Sequence, residues 1–243
     1  EHMDKRVKDI IDKSGSVVFF GGAGVSTESN IPDFRSEKGL YSAMSEYGYS
    51  PEQMLSHTFF TDKMEVFFDY YKKNLIYPDA QPNKAHLALA RLEQEGKLKG
   101  VVTQNIDGLH QKAGSHKVYE LHGSVLRNYC MDCGEFYDLD YIMNEANCDK
   151  GIPKCSRCGG VVKPDVVLYE EGLDEDVING AVNAIASCDT LIVGGTSLVV
   201  YPAAGLIRYF RGSNMILINK SETGYDSQAD LVIYDSIGKV LGD

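Results

Sequence analysis

Ser16-Val17-Val18-Phe19-Phe20-Gly21-Gly22-Ala23-Gly24 is the stretch on which the fold turns. A short apolar run stops abruptly at a glycine-rich turn. Ser26-Thr27-Glu28 follow, with the residue types of a helix start. Similar apolar runs recur at 100–103, 190–193, 214–218 and 230–234. None alternates apolar with polar, as a strand with one wet face would, so each is read as a strand buried on both faces. Between them, residues 83–95 place Ala85, Leu89 and Leu92 on one helical face with His86 beside them. Residues 176–187 place Val177, Ile178, Ala181, Val182 and Ile185 at helical spacing. Strands of this kind separated by helices predict an α/β fold with a Rossmann-like, doubly wound parallel sheet.

The chain has 243 residues, 43% hydrophobic and 24% charged, enough for one large domain with a smaller one attached. No apolar run reaches the length of a spanning helix. Asp4, Lys5, Arg6, Lys8 and Asp9 break the first stretch, so no signal peptide is expected, and the cytoplasm is the expected compartment. Glu1, His2 and Met3 read as an expression remnant. The formal charge of -11 disfavours nucleic acid and anionic membranes as partners and does not exclude a basic peptide as substrate. With no long exposed apolar helix, a monomer is expected.

Five of the six cysteines lie between Cys130 and Cys158. Cys130-Met131-Asp132-Cys133 and Cys155-Ser156-Arg157-Cys158 are two CxxC knuckles, each followed by glycine, at Gly134 and Gly159. Two such knuckles place four thiolates at the corners of a tetrahedron, the ligand set of a closed, structural zinc site. The alternative is reduced or disulfide-linked pairs, and disulfides fit poorly in a chain without an export signal. Cys148 and Cys188 read as bystanders. The segment is too short and polar for a core of its own, so metal binding would supply its folding energy.

Residues 41–77 carry an aromatic stripe, Phe60, Met64, Phe67, Phe68 and Tyr71, broken at Gly48 and Pro51. It reads as a helical insertion whose stripe is packing or the wall of an apolar groove. The resulting organisation is a Rossmann-like domain from 1–40, 78–126 and 162–243. A smaller domain is built from the helical insertion 41–77 and the zinc-binding insertion 127–161.

Gly22-Ala23-Gly24 alone is weak evidence for a dinucleotide, since Thr27 stands where the usual third glycine would be; a tight structural turn is the alternative. Three more polar segments sit where strands end, the place where open sheets bind ligands: Thr103-Gln104-Asn105-Ile106-Asp107, Gly194-Gly195-Thr196-Ser197, and Asn219. Glycine, threonine and serine suit phosphates, and asparagine suits a ribose hydroxyl.

Together these residues resemble a known family. Gly22 to Ser26, Ile31-Pro32-Asp33-Phe34-Arg35, Gln104 to Asp107, His122-Gly123, the CxxC pairs, Gly195-Thr196-Ser197-Leu198 and Val200 through Ala203 follow the order found in the sirtuins. These are NAD-dependent protein deacylases, here in their bacterial form. The resemblance covers nearly the whole chain. It implies a cleft between the two domains where NAD and an acetylated-lysine protein or peptide meet. Gly22, Ala23, Gly24, Thr27, Phe34 and Arg35 would belong to the turn and loop that cover NAD. Gln104 and Asn105 would lie near the nicotinamide ribose, and Ile106 and Asp107 would form the nicotinamide pocket. Gly195, Thr196, Ser197, Asn219, Ser236 and Ile237 would meet phosphate, ribose and adenine. Val166, Val167, Leu168 and Tyr169 would pair with the peptide backbone.

The implied activity is lysine deacetylation in which NAD is consumed, releasing nicotinamide and O-acetyl-ADP-ribose. His122 would be the base, since an imidazole with an ordinary pKa of about 6.5 accepts a proton near neutral pH. His86 and His110 read as structural, and His57 and His116 lie in polar surroundings. Asn105 would act beside His122, holding ribose hydroxyls or a water, or else cap its own turn. Asp107 would meet the carboxamide or cap the helix after Gly108. Arg35 would touch phosphate or pair with Asp33 or Glu37.

Two positions depart from the family pattern. Asn30 replaces a glycine before Ile31, and Glu170 replaces a glycine beside the peptide edge, which favours basic flanking residues. Phe68 and Tyr71 stand where succinyl-preferring relatives place tyrosine and arginine, so a neutral acyl group is expected, acetyl first. Two rival functions are an NAD-dependent protein ADP-ribosyltransferase and a zinc-bearing binding module without turnover.

Overall fold

The computed structural model describes residues 2–242. Its large sheet has six strands, all paired in parallel: β1 (Val17–Gly21), β2 (Leu98–Thr103), β3 (Val118–Glu120), β9 (Thr190–Gly194), β10 (Asn214–Ile218) and β11 (Leu231–Ile233). The order across the sheet is β11-β10-β9-β1-β2-β3, so the chain reverses direction of growth at β1. Both faces are covered. Val17, Phe19, Val101, Ile192 and Ile216 face one cluster, packed by helices Lys5–Lys13 and Lys84–Gln94. Val18, Phe20, Val102, Leu191 and Leu217 face the other, packed by helix Glu175–Ser187. The short edge strand β3 escapes a reading based on apolar runs, because Val118-Tyr119-Glu120 is only half buried.

The expected helix start after β1 is not an α-helix. Residues 23–25 and 27–29 form two 3₁₀ turns, closed at Asn30 with φ 65. Asparagine tolerates this left-handed conformation, which keeps the turn that glycine would make. The first α-helix after β1 begins at Glu37, capped by Ser36.

The chain leaves the Rossmann-like layer twice. The helical excursion holds helices Glu37–Tyr47, Pro51–Met54, His57–Asp62 and Met64–Asn74. Gly48 ends the first helix at φ 80, and Pro51 opens the second. The cysteine-bearing excursion uses β4 (Gly123–Cys130), β5 (Phe136–Tyr137) and β8 (Val162–Val166) in one antiparallel sheet. A hairpin of β6 (Cys148–Asp149) and β7 (Ile152–Pro153) completes it. The two excursions share one core in which Phe60, Phe67, Phe68 and Tyr71 pack with Cys130, Tyr137, Ile142, Cys155 and Val162. The aromatic stripe packs in this core, with Phe60 and Phe67 edge to face at 5.0 Å, and Tyr71 at its end also lines a cleft. Lys72 stitches the seam, its Nζ donating to Glu145 at 2.9 Å and to the Gly151 carbonyl at 2.8 Å.

Candidate active site

Parallel strands end on the same side, and their polar residues gather there. Gly24 N–H donates to the Gly195 carbonyl at 2.8 Å, joining the turns after β1 and β9. A Cβ on Gly24 would stand 2.7 Å from Gly195 Cα, so the close approach itself requires glycine. Gln104, after β2, donates from Nε2 to Thr196 Oγ1 at 3.1 Å. The N–H of Asn219, after β10, donates to the Ile233 carbonyl. Thr27 Oγ1 donates to the Gly24 carbonyl at 3.1 Å. Ser236 and Ile237 open the last helix, and the Ile237 side chain is buried in the core beside Gly194 at the end of β9.

Beside this edge lies a cleft. Ala23, Phe34, Arg35, Gln104, Asn105, Ile106, Asp107, His122 and Val166 through Tyr169 all line it. Gly22, Gly24, Thr27, Gly195, Thr196, Ser197, Asn219, Ser236 and Ile237 do not; they occupy the adjoining strand ends. Leu55, Tyr71, Asn74, Tyr77 and Tyr201 also line the cleft. Sequence patterns give Leu55, Asn74 and Tyr77 no polar cluster or motif to mark them, whereas Tyr201 lies in the Val200 to Ala203 segment of the resemblance and Tyr71 in the aromatic stripe.

His122 follows β3 and precedes Gly123, whose φ of 80 turns the chain into β4. Its Nδ1 lies 3.0 Å from the Gln104 carbonyl. A carbonyl only accepts, so Nδ1 carries the hydrogen and Nε2 is the free acceptor. Nε2 makes no hydrogen bond to the described residues. Burial holds the imidazole below the ordinary histidine range; the bond to Gln104 pulls upward, and the charge of Arg35 pushes down again. The ring is thus neutral near pH 7, with its lone pair unclaimed.

Asn105 Nδ2 donates to the Gly22 carbonyl at 2.9 Å and to Ser26 Oγ at 3.2 Å, which leaves its Oδ1 without a partner among the described residues. Asp107 accepts from Leu109 N–H at 2.9 Å, the capping role, and from Ser26 Oγ at 2.6 Å. Arg35 pairs with Asp33 at 3.7 Å and lies over the Phe34 ring. His86 and His110 are fully buried against each other, rings 4.9 Å apart, away from the cleft lining. His57 pairs with Glu171 and His116 with Glu93.

Along the other wall, the N–H of Val167 donates to the His122 carbonyl, that of Leu168 to Glu171 Oε1, and that of Tyr169 to the Leu55 carbonyl. Glu170 adopts φ 77, the left-handed conformation suited to the glycine it replaces. Its carboxylate accepts from Thr58 N–H at 2.8 Å, which offsets a strain of about 1–2 kcal/mol.

The Sγ atoms of Cys130, Cys133, Cys155 and Cys158 all lie within 4.8 Å of one another. The Cys130–Cys158 and Cys133–Cys155 separations are 3.4 and 3.6 Å. A tetrahedral zinc with Zn–S of about 2.3 Å needs sulfurs about 3.8 Å apart, so the set fits. N–H groups of Asp132 and Cys133 point at Cys130 Sγ, and those of Arg157 and Cys158 at Cys155 Sγ. Gly134 and Gly159, at φ 77 and 80, close the two knuckles. Cys148 stands apart, 3.3 Å from Lys72 Nζ.

Known proteins match this chain along its length. A curated NAD-dependent protein deacetylase of Clostridium acetobutylicum is 66% identical over 235 residues, 97% of this chain and 95% of that one. One from Clostridium perfringens is 65% identical over 238 residues, 98% of this chain and 96% of that one. A solved structure of a Sir2 protein with a p53 peptide and NAD+ superposes with a TM-score of 0.86 at 35% identity, covering 98% of this chain and 95% of that one. The model of the Sir2 family matches residues 22–202, and the chain belongs to that family.

Proposed function

We propose that the protein is an NAD-dependent protein-lysine deacetylase that consumes NAD, releases nicotinamide and passes the acetyl group of lysine to ADP-ribose. The observation that carries this reading is a single neutral imidazole, His122, with its free Nε2 in a cleft walled by Asn105, Asp107 and the segment Val166 to Tyr169. The relatives' names and the peptide- and NAD-bound structure support the same reading.

The residues suit NAD: glycines that admit close approach, a free Asn105 Oδ1, and polar strand ends at Thr196, Ser197 and Asn219. When bound, NAD supplies a sugar carbon already activated by its positively charged nicotinamide leaving group. Gly22, Ala23, Gly24, Thr27, Gly195, Thr196, Ser197, Asn219, Ser236 and Ile237 hold its phosphates, ribose and adenine. Asn105 and Gln104 orient the second ribose, and Ile106 and Asp107 hold the nicotinamide ring. Phe34 and Arg35 close over the sugar and exclude water. His122 Nε2 takes the proton of a ribose hydroxyl, and the Gln104 carbonyl steadies the imidazolium that forms. Peptide binds along Val166 to Tyr169, where the N–H groups of Val167, Leu168 and Tyr169 and the carbonyls of Leu168 and Tyr169 already have partners within the chain.

Cys130, Cys133, Cys155 and Cys158 hold a structural zinc with no open ligand position. Thiol ligands suit a reducing compartment, consistent with action in the cytoplasm. The monomer is the working form. The test is product analysis by mass spectrometry after incubation with an acetyl-lysine peptide and NAD. O-acetyl-ADP-ribose is expected. ADP-ribosylated protein with the acetyl group still on lysine would point to the transferase alternative.

A further inference from the structure

Tyr137 is buried beside the four thiols, and its hydroxyl points at one of them. The phenol oxygen stands 3.0 Å from Cys155 Sγ and 3.0 Å from Ser156 Oγ, and it accepts the Ser156 N–H at 2.9 Å. A thiolate sulfur only accepts, so when Cys155 is ionised the hydroxyl hydrogen goes to Sγ, and the Ser156 hydroxyl fills the oxygen's other lone pair. Rigid neighbours set this hydroxyl in place. The Tyr137 carbonyl accepts from Asn128 Nδ2 at 3.2 Å, and the ring lies against Tyr141, with centroids 4.2 Å apart. The Tyr141 hydroxyl donates in turn to the Lys154 carbonyl at 2.7 Å. Two packed tyrosines from the segment after the first knuckle thus grip consecutive residues of the second. The four sulfurs are not equivalent. Cys130 and Cys155 are buried, while Cys133 and Cys158 are exposed. Among the described residues, Cys155 is the one sulfur of the four with a hydroxyl upon it, closer than its N–H donors at 3.3 and 3.4 Å.

We propose that Tyr137 is a positioning residue for the metal: its hydroxyl donates to Cys155 Sγ, holds that sulfur as an oriented thiolate, and makes Cys155 the anchor ligand of the proposed zinc. A hydrogen bond to a ligating sulfur fixes its direction and draws charge from it, so the sulfur holds the metal in one geometry and reacts more slowly with electrophiles. The buried ring belongs to the core shared with the aromatic helices, so the same residue joins the metal centre to that core. The inference rests on the zinc reading. The ring is packing and the hydroxyl is the acting part, so Tyr137→Phe separates the two.

The test uses the purified full chain, wild type, Tyr137→Phe and Ser156→Ala, loaded with zinc or with cobalt(II). Competition with a chromogenic chelator gives zinc affinity, which is expected to fall by about ten- to a hundredfold in Tyr137→Phe. The sulfur-to-cobalt charge-transfer band reads the bond itself: loss of the donor leaves the sulfur richer in charge, so the band should move to lower energy in Tyr137→Phe. Ser156→Ala keeps the hydroxyl on the sulfur, so its band should match the wild type and its affinity should stay within about threefold. An unchanged affinity in Tyr137→Phe, an unshifted cobalt band, or an equal loss in Ser156→Ala overturns the proposal. Alkylation of the zinc-loaded wild type, mapped by mass spectrometry, gives a readout that needs no variant. Cys133 and Cys158 should react first, then Cys130, and Cys155 last. Cys155 reacting with or before Cys130 would overturn the proposal, and this order decides if Tyr137→Phe does not fold. A wild-type chain that binds neither metal would end the zinc reading and this proposal with it, whereas a metal-binding chain indifferent to the hydroxyl ends the proposal alone.

Discussion

The main-chain carbonyl of His122 accepts the N–H of Val167 at 2.9 Å, while its imidazole Nδ1 donates to the Gln104 carbonyl at 3.0 Å. One residue thus ties the edge of the parallel sheet to the wall proposed for the peptide. The backbone bond does not depend on the side chain. His122→Ala is therefore expected to keep the fold, by circular dichroism, while deacetylation falls by about 10²–10⁴-fold. Near-wild-type turnover would remove the imidazole from the mechanism.

The pH profile follows from the same ring. Only the neutral imidazole can accept a proton, so activity is lost as pH falls through its pKa. Burial holds that pKa below the ordinary value. The acid limb of kcat/KM is expected below about pH 6.5, with no loss from this group on the alkaline side. An acid limb centred above that value would contradict the assigned burial.

His86 and His110 predict an acid weakness of the fold itself. Burial lowers both pKa values; the charge of Asp107 pulls that of His86 partly back, while His86, its ring against His110, pushes that of His110 further down. Below the unfolded value of about 6.5, the unfolded chain takes up protons that the folded one refuses. Each histidine therefore removes about 1.4 kcal/mol of stability per pH unit until its folded pKa is reached. Denaturant melts from pH 7 to 5 should show this decline, and His110→Gln should flatten it.

How much of this was legible in the sequence varied with the physics. Continuous apolar runs announced the parallel strands because both faces are buried, and the CxxC spacing announced the thiol cluster because its geometry is local. β3 was not legible: a half-buried edge strand carries no apolar run. The 3₁₀ turns after β1 were not, because Ser26-Thr27-Glu28 has helix-start chemistry while Asn30 and Pro32 stop the helix further on. The engagement of Leu168 N–H by Glu171, and of Cys155 Sγ by the Tyr137 hydroxyl, depend on side chains meeting across more than one element, which no local pattern encodes.

Removal of the proposed zinc should expose the shared core. The cysteine module contributes Cys130, Tyr137, Ile142 and Cys155 to the cluster that also holds the aromatic helices. About one zinc per chain is expected by elemental analysis. A strong chelator, or Cys155→Ser, should lower Tm and reduce peptide turnover together. Full stability without bound metal would show that the thiols pack without it.

Glu170 should influence which peptides are preferred. Glu170→Gly relieves the left-handed strain but loses the bond to Thr58, so stability should change by less than about 1 kcal/mol. The preference for lysine-flanked over glutamate-flanked acetyl peptides should fall by about two- to fivefold, the scale of an exposed charge contact. An unchanged preference would place the acidic reading elsewhere.

The central claim is that one cleft couples cleavage of NAD to removal of the acetyl group. Time courses of nicotinamide and of deacetylated peptide in the same reaction test it most directly. The account predicts that the two products rise in equal amounts and that neither forms when NAD is left out. Deacetylated peptide without nicotinamide would contradict it.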